Sequence, residues 1–232
     1  MNFIKKEIAG LTTYIKEGSP GFPTVVALHG FGSSAQQIVS SLNQVGNLNN
    51  DITWIIPQGP INLPVSTHGE DAHAWFSISF INDGDKVTPI LPQAVPESCD
   101  LLEKFFQELN HPLDNIILSG FSQGAMLTAE FASTRKEVSL LGIIMSSGTL
   151  LNVDAFMARD MLALPFLITH GTNDPFFSLD KALILEKAFK TKGCEGTVVD
   201  FPGGHEITMI CWVSISLFIQ NCSKIMQERS YI

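Results

Sequence analysis

The sequence predicts an α/β fold with a mostly parallel central sheet and helices on both faces, and three observations predict it. Short apolar, β-branched runs recur at 24–28, 52–56, 115–118, 140–145, 166–169 and 197–201, with helix-like stretches between most of them, the alternation of a doubly wound sheet. Runs such as Leu141-Gly-Ile-Ile-Met145 and Ile116-Ile-Leu118 are apolar at every position, as expected of parallel strands buried on both faces. Finally, one serine stands between two glycines where such a run gives way to helix-like sequence.

Taken in order, the first two dozen residues read as an antiparallel hairpin added to the sheet. Strand 24–28 is followed by a helix over 34–45, and strand 52–56 by the long segment 58–92, which carries Pro60, Pro64, Pro89 and Pro92 and little periodicity. Loops of that length tend to be functional. Helices are predicted over 93–109, 123–132, 179–191 and 206–220, where apolar residues fall at mixed spacings of three and four. The last of them, containing Ile-Thr-Met-Ile-Cys-Trp-Val-Ser-Ile-Ser-Leu-Phe-Ile, is apolar nearly all round and is expected to be buried or partly at a subunit interface. No repeat, low-complexity tract or linker divides the 232 residues, so one domain over 1–232 is expected.

A formal charge of −9 and a pI near 5.0, with no run of Lys or Arg, argue against a nucleic-acid surface. The N-terminus lacks the apolar stretch and cleavage site of a secretory signal. The apolar segment around 207–219 is shorter than a bilayer span requires, so no transmembrane segment is expected. Cys99, Cys194, Cys211 and Cys222 form neither a C-x-x-C pair nor a zinc spacing, which suits buried thiols in a reducing, cytoplasmic compartment.

The stretch Leu118-Ser-Gly-Phe-Ser-Gln-Gly-Ala-Met126 sets Ser122 at a strand-to-helix corner. A tight corner forces the serine into an unfavourable backbone conformation and leaves no room for a Cβ on its neighbours, which Gly120 and Gly124 satisfy. The helix start offers free N–H groups near the serine oxygen. A plain glycine turn with a capping serine explains the same residues, so partners decide.

In open α/β sheets those partners come from the C-terminal ends of strands. Asp174 follows the strand at 166–169, and His205 follows the strand at 197–201 through Pro202-Gly-Gly204. The chain order Ser122, Asp174, His205 is that of α/β-hydrolases. His170 competes weakly as base, Asp180 and Asp200 as acids; His68 and His73 lie in the long loop within reach of substrate, and His111 reads as a helix-end residue. For the oxyanion, one N–H is expected from Gln123 and the other from Phe31, in the turn His29-Gly-Phe-Gly32, with His29 bracing that turn.

With His29-Gly-Phe-Gly32, Ala74-Trp-Phe76, Gly120-Phe-Ser-Gln-Gly-Ala125, Gly171-Thr-Asn-Asp174 and Gly203-Gly-His-Glu206 in this order, the chain resembles the carboxylesterase/phospholipase family that includes acyl-protein thioesterases. The resemblance covers nearly the whole length, and the G-F-S-Q-G-A elbow is its most specific part. It implies an α/β-hydrolase fold without a large cap domain and hydrolysis of carboxylic esters or thioesters without metal or organic cofactor. It also implies Ser122, Asp174 and His205 as the triad, with Phe31 and Gln123 as amide donors. Ser33 stands where relatives often carry an acid, and Phe176 and Phe177 where they often carry valines, so acyl-length preference does not transfer.

The expected activity is that of a carboxylesterase, with lysophospholipase or acyl-protein thioesterase as alternatives. A catalytically silent binding protein of the same fold and a peptidase are the other classes. Hydrolysis is expected to weaken as pH falls through histidine titration. Leu63, Trp75, Phe76, Phe80, Phe176 and Phe177 are candidates for an acyl groove that takes a small or lipid-like ester, although such residues also pack loops down. Association into a homodimer stays open.

Overall fold

The computed structural model describes residues 1–46, 51–63, 72–84, 86–109 and 111–229. The chain opens with β1 (Ile4–Ile8) and β2 (Leu11–Lys16), an antiparallel pair. They turn through Ala9 and Gly10, at φ 53° and 77°, the left-handed pair that matches strand twist in a two-residue hairpin loop. Then follow β3 (Thr24–Leu28), α1 (Ala35–Val45) and β4 (Thr53–Pro57). Four short strands come next: β5 (Ile61–Leu63), β6 (Ala72–Ala74), β7 (Ser79–Asp83) and β8 (Lys86–Ile90). The remainder is α2 (Pro96–Leu109), β9 (Ile116–Phe121), α3 (Gln123–Thr134), β10 (Gly142–Ser146), α4 (Val153–Ala158), β11 (Phe166–Gly171), α5 (Leu179–Thr191), β12 (Gly196–Phe201) and α6 (Met209–Arg229).

Eight strands form one sheet in the order β1-β2-β4-β3-β9-β10-β11-β12. β2 alone runs against the others, antiparallel to both β1 and β4; β3, β4 and β9 to β12 pair in parallel. β3, β10 and β11 are buried at every position, because alternate residues enter two separate cores. Val26, Leu28, Leu118 and Met145 pack with residues of α2, α3 and α5 on one face. Ala27, Trp54, Ile117 and Ile144 pack with residues of α1 and α6 on the other. This is the α/β-hydrolase arrangement, and no cap domain interrupts it among the described residues.

Three expectations need correction. Residues 58–92 are not plain loop: β5 pairs with β6 and β7 with β8 as two small antiparallel ribbons outside the main sheet. Their strands are too short, and β7 too evenly exposed, to carry an alternation readable in sequence. Helix α4 was not expected; Asn152 caps it by accepting from the Ala155 N–H at 2.9 Å. Finally, α6 begins at Met209 rather than 206 and continues to Arg229, with His205 held against Ser122 and Asp174 ahead of it.

That helix is not buried all round. Cys211, Trp212, Ile215, Ile219 and Cys222 face the sheet, while Met209, Ile210, Val213 and Leu217 are exposed. Its longer extent also makes Met209–Glu228 long and apolar enough, by length and composition, to cross a membrane, although one side of it is packed against the sheet.

Candidate active site

Ser122 sits between β9 and α3 with φ 52° and ψ −111°, a region that costs about 1–3 kcal/mol for a residue with a side chain. The corner can be this tight only with glycine on either side. A Cβ on Gly120 would lie 2.1 Å from the Gly124 carbonyl carbon, and one on Gly124 would lie 2.3 Å from Leu28 O. The turn is pinned to the neighbouring strand by the Ser122 N–H donating to Ser146 O at 2.8 Å.

Asp174 and His205 reach this serine from the exits of β11 and β12, which lie side by side. His205 Nδ1 is 2.6 Å from Asp174 Oδ2, and its Nε2 is 2.8 Å from Ser122 Oγ. An ionised carboxylate only accepts, so Nδ1–H donates to Asp174 and Nε2 is left to accept the serine O–H. The Asp174 side chain is fully enclosed. Burial disfavours its charge, but hydrogen bonds from His205 and from the Phe177 and Phe176 N–H groups outweigh that and hold the carboxyl below its ordinary value. Those two N–H groups donate to Oδ1 at 3.0 and 2.8 Å, which leaves Oδ2 for the imidazole.

Aromatic rings hold the imidazole in place. Phe121 and Phe176 lie 5.0 Å from it and Phe177 5.9 Å, centroid to centroid. The competing residues have other partners. His170 is buried, and its Nε2 donates to Phe177 O at 2.7 Å, beside Asp174. Asp180 lies in the first turn of α5 and Asp200 is an exposed residue of β12. Glu206 accepts from the Gly204 N–H. His111 lies just beyond α2, and His68 falls outside the described residues.

The turn carrying Phe31 is braced from below. His29 is 1% exposed; its Nδ1 donates to Gly30 O at 2.8 Å and its Nε2 accepts from the Gly59 N–H at 2.9 Å. Burial is the main cause that pushes its pKa down to about 4, so this imidazole stays neutral. His73 also braces rather than reaching outward: its backbone pairs with Gly32 and Ser33, and its Nδ1 meets Gly59 O at 3.1 Å. No described residue accepts from the Phe31 N–H. Gln123 opens α3, where an N–H has no preceding turn to bond.

The six residues expected to line an acyl groove divide in two. Trp75, Phe76 and Phe177 are 3%, 6% and 7% exposed and pack in the core. Leu63 on β5 is half-buried. Phe80 and Phe176 are exposed at 42% and 43%, Phe80 edge-on to Phe31 and Phe176 edge-on to His205. A cavity of about 350 Å³ borders Trp75 and Phe76 but contains none of Ser122, Asp174 and His205. Sequence reasoning missed the Gln123 side chain, which binds the Trp75 N–H and the Phe76 carbonyl. A glutamine in the first turn of a helix that is buried along nearly its whole length was the available signal.

A serine at a strained strand-to-helix corner, with an imidazole and a carboxylate supplied from the next strand ends, defines an α/β-hydrolase. The sequence profile of the phospholipase/carboxylesterase family matches residues 12–223, and the chain belongs to that family. It is 28% identical over 198 residues to acyl-protein thioesterase 1 homolog 1 of Dictyostelium discoideum, covering 82% of this chain and 86% of that one. It is 31% identical over 157 residues to acyl-protein thioesterase 1 of Schizosaccharomyces pombe, covering 66% and 68%. In fold it resembles the crystal structure of esterase PE8, with a TM-score of 0.78 at 20% identity over 91% of this chain and 99% of that one. The chain is an enzyme of the carboxylic-ester hydrolase type.

Proposed function

We propose that this enzyme cleaves carboxylic esters through an acyl-enzyme on Ser122. The observation that carries the reading is the unbroken hydrogen-bonded line from Ser122 Oγ through His205 to Asp174. Ser122 Oγ attacks the acyl carbonyl while His205 Nε2 takes its proton, then passes that proton to the departing alcohol. The same nitrogen next draws a proton from water, which attacks the acyl-enzyme, and returns that proton to Ser122 Oγ as the acyl–Oγ bond breaks and the acid is freed. Asp174 keeps Nδ1 protonated and stabilises the imidazolium. The Phe31 and Gln123 N–H groups receive the oxyanion, each worth about 3–4 kcal/mol. No metal or organic cofactor enters any step.

Phe80 against Phe31 and Phe176 against His205 favour a small or lipid-like acyl ester, with half-buried Leu63 a further candidate; Trp75, Phe76 and Phe177 pack in the core. Thioester hydrolysis on an acylated protein is the second reading, favoured by the names of the two curated relatives, and a lysophospholipid is the third candidate. A silent binding protein would lack at least one of the three residues. The same reading places the chain as one domain over 1–232. The cytoplasm suits its four cysteines, which are buried and form no disulfide among the described residues. Nucleic acid is no partner for so acidic a chain, and the exposed apolar side of α6 suits a homodimer better than a bilayer.

The deciding experiment is labelling with a fluorophosphonate probe followed by peptide mapping. Modification at Ser122, lost in Ser122→Ala, is expected; modification elsewhere overturns the reading. Turnover of acyl esters of rising chain length, a lysophospholipid and an acylated cysteine peptide then ranks the substrates.

A further inference from the structure

His170 stands one residue short of the end of β11, the strand that leads into the Asp174 loop, and its side chain is wholly buried. Its Nε2 lies 2.7 Å from Phe177 O. A carbonyl oxygen only accepts, so Nε2 carries the hydrogen of this bond. Nδ1 is buried and has no partner among the described residues. An unsatisfied polar atom in a core is a cost that packing alone does not explain, since an apolar side chain would fill the position without it. What the imidazole contributes there is the bond to Phe177.

Phe177 is a junction between the acid and the base. Its N–H donates to Asp174 Oδ1 at 3.0 Å, beside that of Phe176 at 2.8 Å, and its ring lies 5.9 Å from that of His205. The two halves of the loop are held differently. The Thr172 and Asn173 N–H groups donate to Phe201 O and Gly203 O, both at 2.9 Å, which ties the first half to the segment that carries His205. In the second half Pro175 has no N–H to give, and those of Phe176 and Phe177 are taken up by Asp174. Among the described residues, the bond from His170 is the only hydrogen bond that ties 175–177 back to the sheet.

Burial of the Phe177 ring, 7% exposed, fixes where that residue sits. The bond to its carbonyl fixes how the main chain is turned there, and so where its N–H points. His170 does this from a strand paired on both sides, and a strand holds its side chains more rigidly than a loop does. Its Nε2 is 3.7 Å from Asp174 Oδ2, beyond hydrogen-bond range, so the ring leaves that oxygen to His205.

We infer that His170 is a positioning residue for the hydrolysis: through Phe177 it holds the 174–177 turn so that two N–H groups occupy Asp174 Oδ1 and Oδ2 is aimed at His205 Nδ1. It touches neither substrate nor reacting atoms and acts through Asp174. The inference rests on the proposed roles of Ser122, Asp174 and His205 and adds a fourth side chain behind them.

His170→Leu removes the donor and keeps the position apolar. A misplacement of about 1 Å in a catalytic group can cost on the order of 10²-fold, so kcat on a short 4-nitrophenyl ester is expected to fall about 10–100-fold with KM nearly unchanged. His170→Gln brings an amide N–H close to where Nε2 stands and should recover most of that loss. In Asp174→Asn the orienting carboxylate is already gone, so adding His170→Leu should lower kcat by no more than about threefold, the non-additivity of two changes in one network. The far-downfield proton resonance of His205 Nδ1–H held by Asp174 should broaden or vanish in His170→Leu and return in His170→Gln, which loss of core packing alone would not produce. Should the Leu variant fail to fold, His170→Asn, whose amide stops short of Phe177 O, takes its place. Parental kcat in the Leu variant, a Gln variant as impaired as Leu, or the full loss repeated in the Asp174→Asn background overturns the inference. Any of these with the fluorophosphonate on Ser122 condemns the role of His170 alone, whereas labelling away from Ser122 condemns the catalytic reading.

Discussion

The side chain of Gln123 closes a two-point clasp on Trp75 and its neighbour: Oε1 accepts the Trp75 N–H at 2.8 Å, and Nε2 donates to Phe76 O at 2.7 Å. Gln123 is fully buried, so nothing else satisfies those backbone groups once the amide is gone. Its own N–H is one of the two proposed oxyanion donors, and the clasp therefore ties that donor to the segment ahead of α2. Gln123→Ala is expected to cost about 3 kcal/mol, the sum of two buried hydrogen bonds with their partners left unpaired, and to lower kcat more than it changes KM. Urea denaturation and steady-state kinetics on a short 4-nitrophenyl ester check both; an Ala variant as stable as the parent contradicts the clasp.

Asp174→Asn separates orientation from folding. The Asn Oδ1 still accepts from the Phe176 and Phe177 N–H groups, so stability near neutral pH is expected to change little. Its other atom becomes an NH₂ facing His205 Nδ1, which favours the tautomer with the proton on the wrong nitrogen. By analogy with other Ser-His-Asp enzymes, kcat should fall about 10³–10⁴-fold. A loss of only tenfold would mean that Asp174 does not orient the base and that His170, 3.7 Å from the same carboxylate, deserves the same test.

The corner at Ser122 has a steric signature. Gly124→Ala puts a methyl 2.3 Å from Leu28 O, a contact with backbone that no rotamer relieves. The loss of stability is expected at or above the top of the usual overpacking range of about 1–3 kcal/mol, with activity lost as the serine shifts. Gly204→Ala, whose methyl would meet nothing within 4 Å, serves as the control and should leave the melting temperature nearly unchanged.

The centre of the sheet was legible because β3, β10 and β11 are buried on both faces, and an apolar run such as Ile116-Ile-Leu118 leaves few alternatives. Ser122, Asp174 and His205 were legible because each follows a strand in a fixed chain order, so local pattern alone located them. The long segment after β4 was not, since β5 and β6 are three residues each and are held in place by partners distant in sequence. The roles of the aromatics were legible only in type. Trp75 and Phe176 look alike in sequence, yet one is enclosed by α2 and Gln123 while the other stands at the rim beside His205.

His29 gives the fold a pH dependence of calculable sign. Burial lowers its pKa from an ordinary 6.5 to about 4, so the unfolded chain takes up a proton that the native state refuses. Stability from this residue is therefore full above pH 6.5, falls as pH drops toward 4, and levels off below; the whole loss is about 3 kcal/mol. Asp174 acts in a lower window: its depressed carboxyl contributes above the ordinary value of 3.8 and loses that contribution as pH falls through the folded value. His29→Asn removes the imidazole and with it this titration. The variant should be the less stable protein at pH 7, since the Gly59 N–H loses its acceptor. The gap to the parent should then narrow by about 3 kcal/mol between pH 6.5 and pH 4, as measured by urea denaturation across that range. A gap that stays constant with pH would show that the native state accommodates a charged His29.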